Sequence, residues 1–440
     1  MSVEAQTNGV HTNGVYKPWS LYMKEIFTSR TPPGLGSVNA EKLEQDAKEK
    51  LKDHPDAFMY VFACAGSGKT GLANRAELER WRIIPRMLRD VTVRNVQTTI
   101  FGVKHPSPVF LAPVGVQAIV HQDGESASAA AAAKFGIPYI MSGASSRTIE
   151  AVGKANGNGH RWYQMYWPRS DDITVSLLGR AKAAGFNALV LTLDTMLLGW
   201  RTHDIDSAYV PFIHGVGAQT GFSDPVFMAR HHEPLISDED IPVFPYDFKE
   251  IDRKIRAGDQ KLAKWMKLGG EWIAESTPGY FRTWEDLKFV RQHWDGPIVL
   301  KGIQSVEDAK LAIEHGMEGI IVSNHGGRQI DGAIPSLYAL RLICADPTIK
   351  AAQESGKLTV LFDSGIRTGS DIFKAIALGA QAVLVGRPFV FGLACGGQAG
   401  VEQVIKSINA DLEITLGLSG HKNLNEIRGK ADEVLVRLDL

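Results

Sequence analysis

The chain of 440 residues is 44% hydrophobic and 22% charged, so it can bury the core of one large domain or of two or three smaller ones. Its 48 basic and 49 acidic residues nearly cancel, which argues against an overall basic surface for nucleic acid or an anionic membrane. The three cysteines, Cys64, Cys344 and Cys395, are far apart and show no metal-ligand spacing, which indicates reduced thiols in an intracellular protein.

Residues 1–40 are expected to form a disordered or extended tail. The opening stretch, MSVEAQTNGVHTNGV, has neither the apolar core of a signal peptide nor the arginines of a mitochondrial presequence. The last residues, Arg-Leu-Asp-Leu, are not a Ser-Lys-Leu type address, and no apolar run approaches the length of a transmembrane helix. We therefore expect a cytoplasmic protein that does not associate with a membrane.

Residues 41–106 are expected to form an N-terminal helical segment. Within it FACAGSGKTGLANR, residues 62–75, resembles a phosphate-binding loop after a strand. That loop needs the pattern G-x-x-x-x-G-K-[ST], whose first glycine lets backbone N–H groups curl around the phosphates. Counting back from Gly68 places Ala63 at the first glycine, so the match is partial. Nucleotide binding stays open at this point of the chain.

From residue 107 onward, short apolar strands alternate with stretches of helical periodicity. The predicted strands are PVFLA (108–112), PYIMS (138–142), WYQMY (162–166), ALVLTLD (188–194), PIVLK (297–301), GIIVS (319–323), LTVLFD (358–363) and AVLVG (382–386). The helices include GESASAAAAAKFG, SDDITVSLLGRAKAAG, SVEDAKLAIEHG and SDIFKAIALGA, with Ser170, Ser305 and Ser370 as predicted N-caps. Eight such strands predict an α/β fold over residues 107–440, one eight-stranded parallel β/α (TIM) barrel rather than an open sheet.

A long segment, about residues 203–283, interrupts this alternation after strand four. It is rich in histidine, proline, glycine and charge. A loop of this length in a compact domain is usually functional or disordered. The segment is interpreted either as a lid over the active site or as a surface insertion, and the sequence favours neither.

Polar residues cluster just after the predicted strands, where the active site of such a barrel forms. Asp194 and Arg201 follow strand four, strand five ends on Lys301, and strand six opens into SNHGGRQID with His325 and Arg328. Strands seven and eight lead into DSGIRTG and GRP, a glycine-rich pair with arginines that suits a phosphate. Each residue alone has a structural explanation, such as a surface ion pair. Their coincidence at one end of the barrel favours an active site.

The strings SNHGGRQID, IVLKG, LTLDT…GWR, DSGIRTG and VLVGRPFVFG resemble the FMN-dependent family that oxidises 2-hydroxy acids. The resemblance covers about residues 42–215 and 284–425, and it looks strongest toward the lactate 2-monooxygenase branch, through RWRIIPRML, APVG, YVPF and the long insertion. It implies that Tyr60 lies on a helix and that AGSGKT is the loop after it, with Lys69 facing solvent. On this basis AGSGKT is interpreted as a partial match to a nucleotide-binding loop without that function.

The resemblance implies a catalytic role for residues beside the reacting carbon. His325 would be the base that removes the hydroxyl proton, and an imidazole is suited to this because it titrates near neutral pH. Asp194 would orient the imidazolium and stabilise it. Tyr166 would contact the reacting hydroxyl group.

The resemblance also implies residues that bind the substrate carboxylate and FMN. Arg328 would hold the carboxylate in a bidentate fork, supported by Tyr60 and Arg201. Lys301 would stabilise the negative charge of reduced flavin. The expected FMN contacts are Pro113, Val114, Gly115, Ser142, Gln164, Thr192, Lys301, Ser323, Asp363, Gly365, Arg367, Gly386 and Arg387. Gly115 is a departure, because many oxidases of the family have alanine at this position.

The expected function is FMN-dependent oxidation of a small, lactate-like L-2-hydroxy acid by dioxygen. A monooxygenase-type reaction would hold pyruvate and hydrogen peroxide together until they give acetate, carbon dioxide and water. The oxidase alternative releases both products. From other classes, a P-loop nucleotidase and a flavin-binding barrel without turnover are kept as alternatives. The resemblance implies a homo-oligomer, a tetramer or an octamer, with no nucleic-acid partner.

Overall fold

The computed structural model describes residues 17–237, 240 and 242–439. The helices are α1 (Leu21–Ser29), α2 (Ala40–Lys50), α3 (Pro55–Phe62), α4 (Lys69–Arg80), α5 (Gly124–Lys134), α6 (Ile149–Asn156), α7 (Asp171–Ala183), α8 (Thr202–Asp206), α9 (Gln219–Phe222), α10 (Pro225–Arg230), α11 (Phe248–Arg256), α12 (Gln260–Ser276), α13 (Leu287–His293), α14 (Val306–Glu314), α15 (Ser336–Ala345), α16 (Pro347–Glu354), α17 (Gly369–Ala377), α18 (Arg387–Leu418) and α19 (Ala431–Val434). Short 3-10 helices cover Gln117–Ile119, Pro211–His214, Trp284–Asp286, His325–Gly327 and Leu424–Glu426.

The strands are β1 (Trp81–Ile83), β2 (Thr98–Ile100), β3 (Val103–His105), β4 (Val109–Leu111), β5 (Tyr139–Met141), β6 (Arg161–Tyr166), β7 (Leu189–Thr192), β8 (Ile298–Ile303), β9 (Gly319–Val322), β10 (Thr359–Phe362), β11 (Ala382–Val385) and β12 (Leu435–Arg437). Strands β4 to β11 are parallel and close into a barrel, in which β11 pairs with β4. Each predicted strand coincides with one of these within two residues at either end. The predicted eight-stranded parallel β/α barrel is therefore confirmed.

The barrel strands are buried on both faces, which explains why their sequences are nearly continuous apolar runs. One buried cluster takes a side chain from each barrel strand, among them Phe110, Trp162 and Leu361, and fills the interior. The outward-facing side chains join the surrounding helices in a second, larger core. The in-register pairs Tyr166–Thr192 and Thr192–Lys301 place three polar residues side by side at the carboxyl ends of the strands.

The segment before the barrel differs from the expectation in part. Helix α1 lies within the predicted tail of residues 1–40, and Trp19 before it is fully buried; the first sixteen positions of that tail fall outside the described residues. Tyr60 lies on α3, as the resemblance implies, so the apolar run FMYVF is helical, and Pro55 at the first position of α3 suits the start of a helix. No helix in the described part of the chain is long and apolar enough to cross a membrane.

The three predicted N-caps have different outcomes. Ser305 caps α14 by accepting the Asp308 N–H. Ser170 occupies the N-cap position of α7, but its hydroxyl donates to Glu275. The prediction for Ser370 is wrong, because the N-cap of α17 lies two residues earlier, at Thr368, which forms a capping box with Asp371.

The long segment after β7 is mostly helical and contains α8 to α12. Its inner part is anchored to the barrel, since the fully buried carboxylate of Asp224 accepts from Ser176 Oγ at 2.7 Å and from Arg180 Nη1 at 3.3 Å, both on α7. Trp272 of α12 is also buried. Helix α11, in contrast, contributes no buried residue. The segment thus has an anchored inner layer and a more exposed outer helix.

Candidate active site

One cavity lies at the carboxyl ends of the barrel strands. The residues expected from the sequence that line it are Tyr60, Pro113, Val114, Gly115, Tyr166, Arg201, Lys301, His325, Arg328, Asp363, Gly365, Arg367, Gly386 and Arg387. The other expected residues, Ser142, Gln164, Thr192, Asp194 and Ser323, are not on its wall. Asp194 and Ser323 instead contact the wall residues His325 and Lys301. Side chains that are up to 327 positions apart in sequence, Tyr60 and Arg387, therefore meet in one place.

His325 and Asp194 form a hydrogen-bonded pair. Asp194 Oδ1 is 2.8 Å from His325 Nδ1, and Thr195 Oγ1 lies 3.2 Å from the same ring nitrogen. With the proton on Nδ1, the imidazole donates to the carboxylate and leaves Nε2 with a free lone pair. Burial and the positive charge of Lys301 lower the pKa of His325, against the opposing effect of Asp194. The ring is thus neutral at neutral pH and can accept a proton through Nε2.

The loop that carries His325 has an unusual backbone. His325 has a φ of 58°, in the left-handed region that non-glycine residues rarely adopt, and the two glycines after it have positive φ as well. A Cβ on Gly327 would lie 2.6 Å from the backbone nitrogen of Gly71, so only glycine permits this approach. Strained residues of this kind persist where surrounding contacts hold them, often at functional sites.

Lys301 is a buried cation between two carboxylates. Its Nζ lies 3.9 Å from Asp194 Oδ2 and 3.8 Å from Asp363 Oδ2, and it donates to Ser323 Oγ at 3.2 Å. Although burial opposes the charge, the two carboxylates raise the pKa of Lys301. Burial likewise opposes ionisation of Asp194, but Lys301 and His325 lower its pKa. Lys301 is therefore positively charged and Asp194 negatively charged, and both contact the same network as the neutral ring of His325.

Arg328 and Arg201 present positive charge to the cavity beside Tyr60. The Arg328 guanidinium lies 5.3 Å from the centre of the Tyr60 ring and donates to the Ala63 carbonyl at 2.9 Å. Within the described residues Arg328 has no ion pair with a carboxylate, and Arg201 has only Asp204 at 4.0 Å. Burial and repulsion from Arg201 lower the pKa of Arg328 to about 9. Two cations without a close counter-charge, the buried Arg201 and the half-buried Arg328, favour binding of an anion.

A second pair of arginines, Arg367 and Arg387, lies on the wall of the same cavity. Arg387 is the first residue of α18, whose positive dipole end adds to its charge. It donates to the Val61 and Gly326 carbonyls, each at 3.0 Å, whereas Arg367 donates only to its neighbour's carbonyl. Neither arginine forms an ion pair in the part of the chain that the structure describes. Burial and the charge of Arg387 lower the pKa of Arg367 to about 10, so this end suits a phosphate.

Two buried side chains behind the cavity retain unused hydrogen-bonding capacity. Gln164 Oε1 accepts from the Gly143 N–H and from Ser142 Oγ, each at 3.1 Å. Its Nε2 and the Thr192 hydroxyl have no partner among the described residues. Buried polar atoms of this kind are costly unless a ligand or water satisfies them. Together with the unpaired arginines, they fit a phosphorylated ligand with a polar ring, as FMN is.

Several residues of the site were not expected from the sequence. Thr195 contacts the His325 ring, and Gln329 accepts from Arg201 at 3.1 Å and donates to the Asp194 carbonyl at 2.7 Å. Thr195 lies within the motif LTLDT and Gln329 within SNHGGRQ, so their place in these two motifs could have identified them as site residues. Phe212 and Trp272 of the insertion also line the cavity, and no local pattern marks them.

Comparisons with known proteins agree with this geometry. Residues 47–433 match the family model described as FMN-dependent dehydrogenase. An FMN-dependent alpha-hydroxy acid dehydrogenase of Schizosaccharomyces pombe is 47% identical over 87% of this chain and 88% of its own length. An L-lactate oxidase of Lysinibacillus sphaericus is 37% identical over 88% of this chain and 90% of its own. A crystal structure of mandelate oxidase has a TM-score of 0.71 at 34% identity, covering 89% of this chain and 97% of that one.

Proposed function

The chain belongs to the FMN-dependent dehydrogenase family and is an FMN-dependent oxidoreductase, and from this premise we propose that it oxidises a small, lactate-like L-2-hydroxy acid with dioxygen. The observation that carries the proposal is the pair of arginine groups in one cavity, with the His325–Asp194 pair on the same wall. One arginine pair suits the FMN phosphate, and the other suits a substrate carboxylate. The relatives act on 2-hydroxy acids according to their names, which supports the same substrate class.

FMN, when bound, would supply the acceptor for the Cα hydrogen and the two electrons that the substrate loses, with dioxygen as the final oxidant, and Arg367 and Arg387 would hold its phosphate. Arg328 and Arg201 bind the substrate carboxylate, and the Tyr60 hydroxyl donates to it. His325 Nε2 takes the proton of the substrate hydroxyl. Asp194 keeps the imidazole oriented through Nδ1 and stabilises the imidazolium that forms, while Tyr166 hydrogen-bonds the reacting oxygen. Lys301 holds a positive charge where negative charge develops.

Anaerobic mixing of the yellow holoprotein with L-lactate and with larger L-2-hydroxy acids tests this proposal. We expect the flavin absorbance to bleach with at least one of these acids and not with the D-enantiomer. A nucleotidase would instead bind ATP without flavin. A holoprotein that no 2-hydroxy acid bleaches would be a flavin-binding barrel without turnover, and the proposal would be wrong.

For the outcome of the reaction with dioxygen, we propose the monooxygenase type, in which pyruvate and hydrogen peroxide react before release. The support is the inner layer of the insertion, because Phe212 and buried Trp272 of this layer line the cavity, where they would help to retain both products. Product analysis with L-lactate distinguishes the outcomes. Acetate and carbon dioxide indicate the monooxygenase type, whereas stoichiometric pyruvate and peroxide indicate an oxidase.

The outer helix α11 provides a test of whether the insertion works as a lid. Asp252 on α11 binds buried His214 at 3.0 Å, and His214 also contacts the Tyr246 hydroxyl at 2.6 Å. Asp252→Ala removes this anchor, so we expect more free peroxide and pyruvate relative to acetate, with flavin reduction unchanged. Lys254→Ala on the same helix is the matched control, since its side chain is exposed. An unchanged product ratio in a folded, flavin-loaded Asp252→Ala variant would end the lid hypothesis.

A further inference from the structure

The loop AGSGKT, which resembles a phosphate-binding loop, binds a carboxylate of the chain itself. Asp331 Oδ2 accepts the Ser67 N–H at 2.7 Å and the Ser67 hydroxyl at 2.6 Å, and Asp331 Oδ1 accepts the Lys69 N–H at 2.8 Å. These hydrogen bonds lower the pKa of Asp331, led by the one from the Ser67 side chain. Backbone N–H groups of a glycine-rich turn form an anion-binding concavity. Here the anion is Asp331, and the Lys69 side chain is exposed.

Helix α4 has no capping side chain of its own, and Asp331 takes that place. The N-cap residue is Gly68, with a φ of 78°, so no side-chain oxygen is available there to accept the first N–H groups. A carboxylate at this position is favoured both by the unpaired N–H groups and by the helix dipole. The contact is close, because a Cβ on Gly66 would lie 2.6 Å from Asp331 Cβ. Gly66 is therefore the residue that admits Asp331.

Asp331 belongs to the loop that carries His325 and Arg328. Residues 63–70 form further hydrogen bonds with this loop. The Ala65 N–H donates to the Gly327 carbonyl at 2.9 Å. Thr70 Oγ1 donates to the Ile330 carbonyl at 2.8 Å and accepts the Ala333 N–H at 3.0 Å. The Ala63 carbonyl accepts from Arg328 itself at 2.9 Å. The left-handed backbone at His325 is thus held from outside by residues 63–70.

We propose that Asp331, seated in the AGSGKT loop, is a positioning residue that sets the orientation of Arg328 and thereby the affinity for the substrate carboxylate. The inference rests on the proposed role of Arg328. It assigns the GSGKT sequence an internal ligand in place of a nucleotide. Asp331 is three residues from Arg328 in the same loop. If this loop lost its hydrogen bonds to AGSGKT, the Arg328 guanidinium could turn away from the bidentate geometry that a carboxylate needs.

The test uses the FMN-loaded full chain and oxalate, a dicarboxylate that has no oxidisable carbon–hydrogen bond. Oxalate binding is measured by the change that it causes in the flavin spectrum. Asp331→Ala is expected to weaken oxalate binding and raise KM about tenfold or more, with a smaller change in kcat. Asp331→Asn, which keeps one acceptor oxygen, is expected to restore part of the affinity. The asparagine variant also tests the proposal if the alanine variant does not fold.

Asp346→Ala is the matched control. Asp346 caps α16 by accepting the Thr348 N–H at 2.9 Å and does not line the cavity. Like Asp331→Ala, Asp346→Ala leaves the first N–H groups of a helix without an acceptor and is expected to lower the melting temperature. The control therefore shows the effect of losing a helix cap alone. If both alanine variants lose stability but bind oxalate like the unmodified protein, Asp331 is only a helix cap and the inference is wrong. If no 2-hydroxy acid bleaches the flavin of the unmodified protein, the proposed function fails instead.

Discussion

Asp194→Asn separates the orienting role of this residue from other contributions to the rate. The substitution keeps the shape of the side chain but removes the negative charge that accepts from His325 Nδ1 at 2.8 Å. A hydrogen bond to a charged group contributes about 1.5–3 kcal/mol, and each 1.4 kcal/mol corresponds to about a tenfold change in rate. We therefore expect anaerobic flavin reduction to slow about 10- to 150-fold, measured by stopped-flow absorbance.

The pH profile of the same variant gives a second readout with a defined sign. The acid limb of kcat/KM reports the protonation of His325 in the free enzyme, because only the neutral ring accepts the substrate proton. Asp194 is one of the groups that raise the pKa of His325. Removing its charge lowers that pKa, so the acid limb is expected to move to lower pH. Movement to higher pH, or a rate loss under about threefold, would refute the role of Asp194 derived from this geometry.

Thr195→Val is the matched control, since Thr195 Oγ1 contacts the same nitrogen at 3.2 Å without a charge. Thr195 Oγ1 also donates to Asp194 Oδ1 at 3.0 Å, but the substitution keeps the carboxylate and its hydrogen bond to His325, so the rate is expected to fall less than in Asp194→Asn, at most about tenfold. The acid limb is expected to stay in place. Both variants have to retain FMN, because neither residue belongs to the arginine pair that suits the phosphate.

Three further substitutions test other parts of the site. His325→Gln is expected to keep FMN but slow its anaerobic reduction on the order of a hundredfold or more; unimpaired reduction would remove His325 from the mechanism. Arg367→Ala is expected to weaken FMN binding about tenfold or more, seen by flavin fluorescence during reconstitution of the apoprotein, because a charge-assisted bond to phosphate is lost; an unchanged Kd would place the phosphate elsewhere. Lys69→Ala is expected to leave flavin content and turnover unchanged, since Lys69 is exposed; ATP affinity that disappears in this variant would revive the nucleotide-binding interpretation.

The barrel could be predicted because its signals are local. Each barrel strand is a short apolar run, and β-strands buried on both faces need such runs regardless of what packs against them. Capping signals are local too, but they are less decisive. Thr368 and Ser370 are both suitable caps in sequence, and only the hydrogen bonds of Asp371 to Thr368 select the first.

Contacts between distant segments could not be predicted in the same way. The loop residues Ser67 and Asp331 are 264 positions apart, and nothing in either stretch identifies the other as its partner. The sequence therefore showed a glycine-rich loop without its ligand. The same limit applies to buried Trp272 of α12, whose ring packs against Gly221 of α9, where a Cβ would lie 2.2 Å from the ring. Packing of this kind is specified jointly by both segments.

Gly115 combines a local signal with a contact between distant segments, and it lies on the wall of the cavity. A methyl group at this position would lie 2.5 Å from the Ala144 carbonyl oxygen and 2.9 Å from Ala144 Cβ. The Val116 N–H donates to the same carbonyl at 2.9 Å, so the loops after β4 and β5 are held together at this point. Alanine at position 115 therefore requires these two loops to separate, and both line the cavity. Gly115 consequently sets the spacing of two loops on the cavity wall, and a substitution at Gly115 cannot be separated from a displacement of Ala144.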